Sequence, residues 1–188
     1  MKNIVLTCLI ICMFIACKET FTPKPRGYYR IDFPAKEYQL FDSACPFTFE
    51  YPKYGSIIPD MNKNAEPCWI NIGFPKYKGK IHLSYKKVTN GSGQFIEDSH
   101  RLAYNHAIKA DAIEELLIEY PERKVYGIIY DIRGNTASSL QFYVTDSIRH
   151  FLRGSLYFET QPNKDSLAPV VQFFRKDVEQ LINTLQWK

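Results

Sequence analysis

Four histidines, His82, His100, His106 and His150, are the side chains of this 188-residue sequence best suited to moving protons or holding a metal. His100 and His106 are six residues apart, so on a helix they differ by about 240° and share no ligand face. Neither has a second histidine or a carboxylate beside it at the spacing that zinc requires. His106 falls on an apolar stripe and reads as a core histidine. The run "EDSH" at 97–100 puts an acid, a serine and a histidine side by side. A Ser-His-Asp triad is an arrangement in space, however, and adjacent residues on a helix point apart. No G-x-S-x-G elbow and no phosphate-binding loop accompanies it. The sequence therefore predicts no catalytic set, no metal and no cofactor: a protein that is not an enzyme.

The cysteines carry more chemistry. Met1-Lys2-Asn3 is a short basic start, and the apolar run from Ile4 to Ala16 follows it. That run spans roughly 20 Å as a helix against a hydrocarbon core of about 30 Å, too short to cross but suited to a signal peptide. It ends in Phe14-Ile15-Ala16-Cys17, a small residue directly before a cysteine, which resembles a bacterial lipobox. There the thiol of Cys17 would take a diacylglycerol and the preceding peptide bond would be cut. Cys8 and Cys12 fit worse, because one has almost no apolar run before it and the other follows bulky Ile11. A plain secretory signal with an incidental cysteine is the alternative. Lipid would anchor the protein rather than thread it through the bilayer. Lys18 stands where an aspartate commonly retains lipoproteins in the inner membrane, so the outer membrane is expected, on its periplasmic face; the cell surface is the alternative, because Lys18-Glu19 partly resembles an acidic surface-export signal. Cys45 and Cys68 remain for a compartment where disulfides persist, and a bridge there would be worth about 3 kcal/mol. Two separate buried thiols are the other reading.

Two stretches could form an interaction surface. "KPRGYYRIDFP" is too aromatic for a passive linker: Tyr28, Tyr29, Ile31 and Phe33 could lie on the domain as an edge strand, or Tyr28, Tyr29 and Arg30 could dock a partner. "TDSIRHFLRGSLYF" sets Asp146, Arg149, His150 and Arg153 around a strand turn. These read either as a charged rim or as a turn held by Asp146 through backbone hydrogen bonds.

The elements that must carry these residues follow from periodicity. "PFTFEY", "CWINIGF" and "KIHLSYKKV" alternate apolar with polar residues and read as strands, with "PKYKG" as a hairpin turn. "NGSG" breaks the pattern. From Gln94, the residues Leu102, His106, Ala110, Ile113 and Leu117 recur every three or four positions, predicting a helix that runs to Pro121, whole or broken near Asp111. "KVYGIIYDI", "SSLQFYVTD" and "HFLRGSLYFE" predict a meander. A closing helix capped by Ser166 would bury Val171, Phe174, Val178, Leu181, Ile182 and Leu185. The order βββ-α-βββ-α predicts an α+β fold, a mainly antiparallel sheet flanked by helices. Segments 1–16, 17–44 and 45–188 read as signal peptide, lipidated tether and a single domain. Hydrophobic content of 45% supports such a core, and a formal charge of +4 spread along the chain forms no nucleic-acid-binding stripe.

The run "GNTASSLQFYVTDSIRHFLRGSLYFETQPNKDSLAPV" at 134–170 resembles the signature region of the Bacteroidetes gliding-motility lipoprotein GldD family. "KPRGYYRIDFP", "PCWINIGFP" at 67–75 and "IHLSYK" at 81–86 resemble it at corresponding places. The resemblance implies a non-enzymatic lipoprotein needed for gliding and for type IX protein secretion. Its implied partners are other gliding lipoproteins and envelope components of that machinery. Only the lipidated cysteine carries over as a site residue, onto Cys17. The element order also resembles the PsbP-type α/β/α sandwich. A periplasmic module binding glycan, peptidoglycan or lipid is the competing function, with Trp69 and Trp187 available to stack on sugars.

Overall fold

Phe47 and Phe49 alternate with Thr48 and Glu50, and that two-residue period turns both rings fully inward from β2 (Phe47–Pro52). The same rule builds most of the molecule. A computed structural model describes residues 30–89 and 91–188. The remaining described strands are β1 (Tyr38–Phe41), β3 (Ser56–Pro59), β4 (Ile70–Phe74), β5 (Gly79–Lys87), β6 (Ala110–Tyr120), β7 (Val125–Gly134), β8 (Ser138–Thr145), β9 (His150–Phe158) and β10 (Gln186–Trp187). The helices are α1 (Gly93–Tyr104) and α2 (Lys164–Thr184). The class is the α+β one that the element order predicts, and its strand pairs are antiparallel.

A seven-stranded sheet has the order β3-β4-β5-β9-β8-β7-β6, and β1-β2-β10 form a second, small sheet. Between them lies the main core. Ile72, Leu83, Phe142, Leu152 and Leu156 of the large sheet meet Phe47 and Phe49 of the small one and Phe174, Val178 and Leu181 of α2. The opposite face of the large sheet holds Tyr130, Ile132, Tyr143 and Phe151, against which α1 sets Phe95, Ile96 and Ala103. Gly154 lets β9 pass beneath the Phe142 ring of β8, where a Cβ would come within 2.1 Å of the ring.

The long helix expected from Gln94 to Pro121 is not formed, either whole or as two pieces. Helix α1 stops at Tyr104, His106 lies half-buried in a turn, and residues 110–120 are strand β6, paired along their length with β7. The reason is the turn that follows. Pro121 to Lys124 repeats the geometry of Pro75 to Lys78: a proline opening one 3₁₀ turn, then a lysine in the left-handed region (φ 52° and 47°). Each folds one strand back on the next, β4 onto β5 and β6 onto β7. Once the hairpin is set, cross-strand pairing overrides the helix preference of "EELL".

The domain begins earlier than the predicted boundary at residue 45. Residues 32–188 form the unit, with β1 paired to β2 and Phe33 stacked on Phe173 at 4.3 Å between ring centres. No strand forms over 30–37; the chain is held there by side chains. Lys36 reaches into α2, where its Nζ lies 2.7 Å from Oδ2 of fully buried Asp177. Tyr54 and Tyr38 donate hydroxyls to the same carboxylate at 2.5 and 3.1 Å. Burial lowers the Lys36 pKa more than Asp177 raises it. Burial, reinforced by Asp177, raises the Tyr54 hydroxyl strongly and that of Tyr38 to about 12.

Two smaller expectations also change. The cap of α2 is Asn163, whose side chain accepts from the Ser166 backbone N–H, so Ser166 lies inside the helix and Pro169 one turn deeper than expected. Leu185 is fully buried but ends the helix rather than extending it. Cys45 and Cys68 are joined by a disulfide with Cα atoms 5.6 Å apart, and the bridge links the lead-in to β2 with the lead-in to β4. It therefore ties the small sheet to the large one.

Candidate functional site

The turn between β8 and β9 is built on Asp146. Its Oδ1 accepts three backbone N–H groups, from Ile148 at 3.0 Å, Arg149 at 2.7 Å and His150 at 2.8 Å. Thr145 Oγ1 accepts from the Ser147 N–H at 2.9 Å and donates to the His150 carbonyl at 2.7 Å. Ser147 takes the left-handed conformation (φ 69°) that closes the loop. Burial by itself would raise the Asp146 carboxyl; the three donors outweigh it and hold the group below its ordinary range. The rigid turn lifts Ile148 into solvent, 68% exposed.

His150 faces the other way, into the fold. Its Nδ1 lies 2.9 Å from the Tyr85 hydroxyl, and its ring stacks on Trp187 at 5.2 Å, nearly parallel. Trp187 in turn donates its indole N–H to the Lys124 carbonyl at 3.0 Å. Beside this stack opens a cleft of about 470 Å³ whose walls include Arg123, Lys124, Arg149 and Lys188 on the basic side and Glu122 and Asp146 on the acidic side. Arg123 also seals the end of α2, donating to the carbonyls of Asn183 at 2.6 Å and Leu185 at 3.1 Å. The arrangement is a charged rim around an aromatic stack, in which Arg123 pairs with Glu122 and Lys188 with Asp42.

Arg153 does not belong to that rim. It points to the opposite face of the sheet, where its Nη2 donates to Gln141 Oε1 at 2.5 Å. Strand register there places a row of polar side chains across the sheet: Asn71 beside His82, then Ser155, Gln141 and Tyr130. His82 Nδ1 meets Asn71 Oδ1 at 2.8 Å. Within this row, Ser155 Oγ, Gln141 Nε2 and the Tyr130 hydroxyl are buried without a hydrogen-bond partner, as are Asp60 Oδ2 and His150 Nε2 elsewhere among the described residues. Burial lowers the Arg153 pKa, opposed by Tyr157. Sequence reasoning found Arg153 but missed the row. The available signal was polar Gln141 and Ser155 inside the otherwise apolar runs "SLQFYV" and "GSLYF".

Of the other residues considered for function, Arg30 is exposed. Cys17, Tyr28 and Tyr29 lie outside the described residues. Ser99 is buried on α1, whereas His100 is exposed, stacked on Tyr104 at 4.2 Å and 3.6 Å from Glu115. The two side chains do not converge. Among the described residues no group of three His, Cys, Asp or Glu could hold a metal, and no helix is long and apolar enough to cross a membrane.

Burial lowers the pKa of His82, His106 and His150 alike. At His150 the Asp146 carboxylate opposes this, while Arg149 and Lys87 add to it. A histidine whose folded pKa lies below its unfolded value of about 6.5 contributes stability above that pH, and the contribution is lost as the pH falls. The urea midpoint is expected to drop between about pH 8 and pH 5, and His150→Phe, which keeps the stack on Trp187, should flatten part of the slope. A midpoint constant over that range would contradict the burial argument.

Fold and site together define an α+β sandwich domain that presents charged clefts at its rim. The chain belongs to the gliding motility lipoprotein GldD family, whose model matches residues 18–187. Among curated proteins none matches it. A solved structure similar to it is that of cyanobacterial PsbP (CyanoP) from Synechocystis sp. PCC 6803. The two share 10% identity with a TM-score of 0.49, over 87% of this chain and 99% of the other.

Proposed function

We propose that this gliding-motility lipoprotein is an outer-membrane subunit, lipidated on Cys17, that supports gliding and type IX protein secretion by binding other envelope proteins rather than by catalysis. The observation that carries the reading is the family match over residues 18–187, which starts directly after the lipobox cysteine. Separated Ser99 and His100 and a rim of rigid charge are consistent with a binding role. A deletion strain is expected to lose both colony spreading and secretion of proteins bearing the type IX carboxy-terminal signal. Complementation with the native gene should restore both, whereas Cys17→Ala should restore neither and should take up no labelled fatty acid. Normal secretion in the deletion strain would refute the role.

A second reading rests on the buried polar row of Tyr130, Gln141 and Ser155, whose unpartnered groups suit a small polar ligand. A small molecule co-purifying without a protein partner would favour it.

A further inference from the structure

The large sheet ends in two unlike edges. β3 is four residues long, whereas β6 spans eleven, pairs with β7 on one side and has no strand on the other among the described residues. Long apolar edges are a liability that soluble proteins blunt, most often with lysine, proline or a bulge within the strand. Strand β6, "ADAIEELLIEY", has no lysine or proline, its four charged residues are all acidic, its one irregularity lies at its start, and Leu117 stands 71% exposed. Alongside its second half, a groove of about 430 Å³ separates the strand from α2. Leu117, Ile118, Ile129 and Ile182 line it, with Glu119 and Glu179 beside them.

The acidic groups decide what would fit. Asp111 is paired with Lys164, Glu114 with Arg133, and Glu115 meets His100 and the Tyr104 hydroxyl. Glu119 and Glu179 are in no ion pair among the described residues, so the groove keeps uncompensated negative charge on a protein whose net charge is +4. A second copy is a poor occupant. Antiparallel pairing of β6 with itself over its full length sets Asp111 opposite Glu119 and Glu115 opposite Glu115, and directly opposed like charges destabilise a ladder.

We propose that β6 is a docking edge that receives an extended segment of another protein as an added strand. The segment's backbone pairs with the free side of β6, an apolar side chain enters the groove, and flanking Lys or Arg residues meet Glu119 and Glu179. The inference deepens the assembly reading and rests on it.

The test places a photoreactive phenylalanine analogue at Leu117 of the full-length lipoprotein in its own bacterium, with a second strain carrying it at exposed Leu40 on β1. The adduct at Leu117 is expected to map to a segment of a different protein in which Lys or Arg flanks an apolar residue. The Leu40 strain should lack that adduct. Glu119→Lys/Glu179→Lys should cut its yield about tenfold with an unchanged thermal midpoint, and the milder Glu119→Gln/Glu179→Gln should cut it in the same direction. The proposal is overturned by no adduct, an adduct only to a second copy, a cross-linked segment without basic residues, or a yield indifferent to both charge changes. These results would leave the secretion role standing, because that role is judged separately by the deletion strain.

Discussion

Asp177→Ala is expected to destabilise the domain by about 3 kcal/mol, because it strips a buried ammonium and two hydroxyls of their common acceptor. The carboxylate is fully buried, whereas Lys36 keeps 23% of its side chain exposed, which places the effect at the low end for a broken buried pair. For a domain of this size that corresponds to a thermal midpoint lower by about 6–12 °C. The loss should be nearly recovered, to within about 1 kcal/mol, in Lys36→Met/Tyr54→Phe/Asp177→Leu, which removes three of the four polar groups together and leaves the hydroxyl of half-buried Tyr38 to water. Equal instability in the triple variant would show that shape, not charge, holds this part of the core. A single Asp177→Ala costing under about 1 kcal/mol would deny the network any structural weight. The network also holds the first residues of the domain in place. Phe33 stacked on Phe173 and Lys36 lying 3.3 Å from the centre of that ring fasten residues 33–36 to α2.

Removing the Cys45–Cys68 bridge is the other large change. Its ends are 23 residues apart in sequence, and the chain-entropy model assigns closure of such a loop about 3 kcal/mol. Cys45→Ala/Cys68→Ala should therefore lower the denaturant midpoint. Reducing agent should bring the native protein down to the variant while leaving the variant unmoved. A native midpoint indifferent to reduction would end the argument. The disorder released should centre on residues 60–69, which lead into β4. Trp69 should report it, because its indole N–H donates to the Tyr85 carbonyl at 2.8 Å and its ring stands edge-on to His82.

The amphipathic stripe from Leu102 to Leu117 shows where local pattern misleads. Apolar residues at helical spacing do occur there, but Leu102 and Leu117 are both exposed and the segment divides into the end of α1, a turn and β6. An edge strand buries little on either face, so its sequence need not alternate and loses the period that betrays a central strand. The informative signal lay just beyond it. "FPKYKG" and "YPERKV" share an aromatic residue, a proline and a lysine at fixed offsets, and both make the same turn. Reading the first as a hairpin turn was grounds for reading the second as one.

The candidate site divides in the same way. Asp146 as a turn-former was legible, because an aspartate that caps its own following N–H groups is a local event. The separation of Arg153 from His150 was legible, since residues three apart on a strand face opposite ways, whereas Arg149 lies in the turn before β9, where alternation does not apply. The polar row was not, because Asn71, His82, Ser155, Gln141 and Tyr130 come from five strands and meet only through register.

By itself the sequence determined what depends on neighbours along the chain. That covers the alternation that makes most strands, the apolar face of α2, the α+β class and the family resemblance. Tertiary structure alone decided what depends on pairing between distant segments. It gave β6 its place at the sheet edge, joined two sheets through Cys45 and Cys68, and set Asp177 over Lys36. The physical reason is that local backbone preference is worth only a fraction of a kcal/mol per residue, while cross-strand pairing and burial act cooperatively over whole elements. Where the two agree, the chain can be read directly; in β6 they disagree, and the sheet prevails.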